Sequence, residues 1–308
     1  MISKFYAGLP GLSHRCTPSY QDLTNCGIMY AESDVGHIVS CSSGRKGVMG
    51  ERLRNPPLVE ALLEMRWRLS QREPSTPPID PAYPIVVGLL YDKVKDRFSC
   101  VEELPQSRFP HEMLQFSMTH RFRIGPAEWP LVQIGPGIAS VNYTTSYTWD
   151  EFRTAACEFI DHLTSAYKVA VNRPPDLEQV TLRYLNAIEF EAIPASVLSF
   201  LREQLRVGFD VPIPVAAVSS GVVAPDILRL QIGYRLERPH GVGILSVNTG
   251  RRNKQLTLFW DMGVVSAGED VPDFEDFPQW LSSAHEVAEN WFFALIEGTL
   301  HEEFKGSE

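Results

Sequence analysis

The chain has no uncharged apolar run of the roughly 18 residues that a membrane-spanning helix needs. The stretch from Met1 meets Lys4, Gly8, Pro10 and Gly11 before any apolar segment of signal-peptide length forms. A soluble, cytoplasmic protein with no membrane partner is the expectation. Clustered positive charge is also scarce. The net charge is −10, and the tightest basic trio of the second half is Arg251, Arg252 and Lys254 in a polar RRNKQ segment that suits a hairpin tip. Phosphate binding draws most of its affinity from clustered Lys and Arg, so nucleic acid is disfavoured as a partner. The 5 cysteines, Cys16, Cys26, Cys41, Cys100 and Cys157, form no CxxC pair and match no common zinc spacing, so neither disulfides nor a structural metal is expected.

What is present is 308 residues, 44% of them hydrophobic, enough for one large core or two smaller ones. Residues 1–50 stand apart. They lack a sustained apolar period and are broken by Gly, Ser and Pro, and they carry four basic residues (Lys4, Arg15, Arg45, Lys46) against three acidic ones (Asp22, Glu32, Asp34). They read as a poorly ordered extension, with Met49 a candidate for the native start.

GIASVN at 137–142 and GILSVN at 243–248 differ at one position, which raises the question of an internal repeat. The order of surrounding elements does recur. PLVEALLEMRW alternates as a strand, with Val59, Ala61, Leu63, Met65 and Trp67 on one side and Glu60, Glu64 and Arg66 on the other. A Pro-rich loop (PSTPPIDPAYP) follows, then strands in FSMTHRFRI and LVQIGPGIASVNY. A long helix then places Phe152, Phe159, Ile160, Leu163 and Tyr167 on one stripe, with Thr148 or Asp150 as its cap. NRPPD at 172–176 closes that unit. The second unit opens with VTLRYLNAIEF and a short helix begun by Pro194, then alternates cleanly through ILRLQIGYRLE. GVGILSVNTG and LTLFWDMGVV follow, and a last helix has the stripe Leu281, Ala284, Ala288, Trp291, Leu295 and Ile296.

The expected fold is therefore α+β: internally duplicated antiparallel sheets with a long helix packed on each half, residues 51–171 and 177–308. In outline it resembles the TATA-binding-protein or helix-grip folds. NPPLVEALLEMRW at 55–67, LVQIGPGIASVNY at 131–143 with Tyr147, Trp149 and Phe152, LRYLNAI at 182–188 and the helix from His285 through Phe292 to Phe304 together carry a resemblance to a sporadically distributed family of uncharacterised prokaryotic proteins. The resemblance covers about residues 55–304. It implies no catalytic residue or cofactor, and it suits a role in a defence or mobile-island system. Where that family shows an acidic strand ending, this chain reads LFWDMG, keeping Asp261.

The catalytic motifs that come closest each lack a part. HEVAEN at 285–290 has Glu289 where a metalloprotease helix has its second His, and His301 lies about 24 Å further along a helix. A polar helical face is the expectation there. IGPG and GVGIL run into strand-like SVN rather than a helix N-terminus, so both read as tight turns rather than phosphate cradles. No GxSxG is present, and Cys157 lies on an apolar helix surface.

The chemistry worth following lies in LRYLNAI, where Tyr184 and Asn186 share the face of Ile188 and Arg183 points the other way. Asn186 either closes a buried hydrogen-bond network or lines a ligand or peptide cavity, to which the aromatics Tyr143, Trp149 and Trp260 could add. The expected function is a non-catalytic binding or scaffold protein that receives a protein, peptide or small molecule where the halves meet. An enzyme of unrecognised type with its site between the halves, or nucleic-acid binding on a concave sheet, are the alternatives. No cofactor is expected.

Overall fold

The computed structural model describes residues 53–71, 73–144, 147–190, 197–208 and 228–306. The 1–50 extension, Met49, Pro194 and three of the cysteines lie outside the described residues. The rest is a mixed α/β structure built on one large antiparallel sheet. Nine strands run β1 Leu58–Trp67, β2 Cys100–Glu103, β3 His120–Arg123, β4 Leu131–Gly135, β5 Ile138–Tyr143, β6 Leu177–Glu189, β7 Arg229–Glu237, β8 His240–Arg252 and β9 Gln255–Ala267. Their order in the sheet is β2-β3-β4-β5-β1-β6-β9-β8-β7. Five helices accompany them: α1 Tyr83–Val94, α2 Trp149–Val171, α3 Val197–Glu203, α4 Phe277–Ile296 and α5 Thr299–Lys305. No described helix is long and apolar enough to cross a membrane.

Periodicity explains most of this. β1 buries Ala61, Leu63, Met65 and Trp67 and leaves Glu60, Glu64 and Arg66 half-buried on its other face, as a strand with one packed side must. α2 begins where the Thr148 side chain accepts from the Glu151 amide, and ends at Asn172 in the left-handed conformation that a short amide side chain tolerates. At the β8–β9 hairpin, Asn253 and Lys254 both take positive φ (51° and 70°), so the basic trio does sit at a polar hairpin tip.

α1 was not legible as a helix. The run of prolines before it reads as loop, yet Pro84 falls in the first turn, where its missing amide costs nothing. Asp80 accepts the Ala82 and Tyr83 amides at 3.1 and 3.2 Å and so starts the turn. GVGIL is likewise no turn but part of β8. Gly243 is there because Trp291 of α4 lies on it: a Cβ would meet the indole at 2.4 Å.

The element order strand, helix, meander, long helix occurs twice, and each meander returns its last strand to pair with the first: β5 with β1, and β9 with β6. β1 and β6 pair antiparallel in the middle and join the two sets into one sheet. The two hexapeptides do not occupy equivalent places in this order. Ser140–Asn142 lie in β5, next to the opening strand, whereas Ser246–Asn248 lie in β8, one strand further out.

Side-chain contacts place α1, α2 and α4 on one face of the sheet. Tyr91 of α1 meets Phe122 of β3, Phe152 of α2 meets Tyr143 of β5, and Trp280 of α4 donates to Ser266 of β9. The main apolar core fills this layer, and alternate side chains of β6 point into it.

Candidate functional site

Along β6, Leu182, Tyr184 and Asn186 turn to the helices, and Arg183 and Leu185 turn away. On the far face Arg183 is ion-paired with Asp261 of β9, with Nε 2.6 Å from Oδ2. This pair continues a polar row. Asn142 donates to Glu60 at 2.7 Å and accepts from Ser140 at 2.7 Å and from Gln133 at 3.3 Å. Gln133 in turn accepts from Arg121, and Glu102 is shared by Arg121 and Arg123. Burial pushes the Glu60 carboxyl up, against the Asn142 hydrogen bond and the nearby arginines. Each arginine in this row is paired with a carboxylate.

On the helix side, Tyr184 joins the two segments. Its hydroxyl lies 3.0 Å from that of Tyr147, just before α2, and 2.9 Å from Nδ1 of His285 on α4. Trp149, the first residue of α2, stacks on the His285 ring at 3.7 Å and 13°. Burial pushes Tyr184 and Tyr147 up, with Glu289 adding its negative charge, and pushes His285 down to about 4. All three groups are thus neutral at pH 7, and they form one hydrogen-bonded chain from Tyr147 through Tyr184 to the His285 imidazole. The reading of HEVAEN as a polar helical face fails for His285. The residue falls at i+4 from Leu281 and i+1 from Ala284, inside the apolar stripe, and that spacing is the signal that could have found it. Among the described residues, no group of His, Cys, Asp and Glu is placed to hold a metal.

Asn186 comes next along the same face, 2% exposed, and its cross-strand partner is Trp260, fully buried. Neither the Asn186 Nδ2 nor the Trp260 Nε1 has a hydrogen-bond partner. A buried donor left without an acceptor costs about 1–3 kcal/mol, and here two stand side by side. Among the described residues, no hydrogen-bond network closes through the Asn186 Nδ2.

The structure brings Trp149 and Tyr184 together, through Tyr147 and His285, and sets Asn186 beside Trp260. Tyr143 is joined to Tyr147 and Trp149 through the Phe152 ring; it is buried and accepts from Arg97 at 2.8 Å. Arg183 is on the opposite face. Tyr147 and His285 are the members that sequence reasoning did not assign. Cys157 is half-buried, and burial raises its thiol, which keeps it protonated and poorly nucleophilic.

No family model matches the chain, and no curated protein matches it. Among solved structures, DynU16, a protein of the dynemicin biosynthetic locus, aligns with 14% identity over 81% of this chain and 99% of its own, at a TM-score of 0.25. That score is too low for the likeness to bear on fold or function.

Proposed function

We propose a non-catalytic binding protein that holds a small molecule on the helix side of its sheet, along the junction strand β6. The observation that carries this is the pair of orphan donors, Asn186 Nδ2 and Trp260 Nε1, held at directly paired positions on β6 and β9. Buried donors of a folded protein find acceptors, and a ligand that supplies one accounts for both at once.

The enzyme alternative is less well supported. The Tyr147–Tyr184–His285 chain has the appearance of a proton relay, but general acid–base catalysis needs a group that exchanges protons near the working pH. Burial moves the tyrosines up and His285 down to about 4, away from neutrality in both directions. The chain acts instead as a strut between the start of α2 and α4, with Trp149 closing over it. In the same reading the chain is an internal duplication of a strand–helix–meander–helix unit, in the manner of helix-grip folds; the recurring order and the paired opening strands support it.

Native mass spectrometry of the full chain purified from its own cells tests the role. A stoichiometric small-molecule adduct, absent from the Asn186→Leu variant, is the expected result. A bare mass, together with a fragment screen whose hits are indifferent to Asn186→Leu, would remove the basis for a binding role at this strand.

A further inference from the structure

Given that binding role, on which this step rests, we infer that the ligand is a neutral, largely apolar molecule presenting one carbonyl-type oxygen to both Asn186 and Trp260. The two orphans are donors, and a single acceptor oxygen can serve both. A carbonyl oxygen brings two lone pairs and no proton, one for each nitrogen. Directly cross-paired residues have Cβ atoms about 4.5–5.5 Å apart, close enough for two side-chain donors to converge on one oxygen.

The described residues of these strands give a buried charge no partner. The helix-facing neighbours on these strands are Leu182, Tyr184, Met262, Leu258 and Val247, none of them cationic. The ionic group felt at Tyr184 is Glu289, which is negative. A carboxylate would find no cation on β6, β8 or β9 among these helix-facing neighbours, and an ammonium would meet two donors. The same apolar neighbours suit a hydrocarbon body.

The indole N–H of Trp260 supplies the readout, its resonance identified in the ¹⁵N-labelled full chain by its loss in Trp260→Phe. Titration with 2-octanone is expected to move that resonance saturably, with at least tenfold tighter binding than octanoate. Asn186→Leu removes one orphan donor, so it is expected to raise the melting temperature by about 2–4 °C while weakening 2-octanone at least tenfold. Trp260→Phe, followed by ligand-observed saturation transfer, is expected to weaken it likewise, which keeps the test open if the leucine variant folds poorly. Octanoate binding as tightly as the ketone, ketone binding unchanged in both variants, or no response to any probe overturns the assignment. A charged adduct in the native mass spectrum sinks the ligand class and leaves the binding role; a bare spectrum together with fragment hits indifferent to Asn186→Leu sinks both.

Discussion

Asp80 and the Asn186–Trp260 pair are both buried polar spots in the helix-facing layer, and they are built in opposite ways. The Asp80 carboxylate accepts from the Trp67 indole at 2.9 Å, the Ala82, Tyr83 and Gly137 amides at 3.1, 3.2 and 3.3 Å, and the Tyr167 hydroxyl. One acceptor draws the start of α1, the β4–β5 turn, β1 and α2 to a single point. Nothing there is left for a ligand to do. At Asn186 and Trp260 two donors stand without an acceptor among the described residues. A saturated polar centre holds a fold together, whereas an unsaturated one of equal burial weakens it unless something else binds.

The comparison can be broken first at its saturated end. Asp80→Ala strands the indole of Trp67 and the hydroxyl of Tyr167 in the core, and is expected to lower stability by roughly 4 kcal/mol or prevent folding, read by chemical denaturation. Arg183→Ala, which leaves Asp261 buried without its cation, is expected to cost about 3 kcal/mol in the same measurement.

The Tyr147–Tyr184–His285 strut sharpens the contrast through pH. Because burial lowers the folded-state value of His285 from its ordinary 6.5 to about 4, folding excludes a proton that the unfolded chain takes up. Its contribution is intact above pH 6.5 and is lost as pH falls toward 4, by up to about 3 kcal/mol. His285→Gln should flatten that part of the profile relative to wild type between pH 7.5 and 4.5; parallel profiles would show that the imidazole is not held neutral. The smallest effect has the opposite sign. Asn186→Leu is expected to raise stability of the ligand-free chain by about 1 kcal/mol, since it deletes an unmet donor.

Sequence and structure agree where one period dominates. Leu63, Met65 and Trp67 alternate on β1, Tyr184 and Asn186 share a face opposite Arg183, and Thr148 caps α2, because pleat and cap geometry are local. Agreement ends where the deciding contact is distant in the chain. α1 is hidden by prolines until Asp80 is seen to start it, and Gly243 is explained only by Trp291. His285 needed Tyr184, 101 residues away, to become a buried partner rather than a polar surface residue. The hexapeptide match shows the converse error: similar residues in β5 and β8 reflect the shared demands of inner strands, not equivalent places in the sheet.

The most direct test is a high-resolution crystal structure of the full chain isolated from its own cells, viewed at the side chains of Asn186 and Trp260. The account predicts density for an organic molecule whose oxygen lies within about 3.2 Å of both nitrogens. A lone water bridging them, or an acceptor from the protein itself, would contradict it.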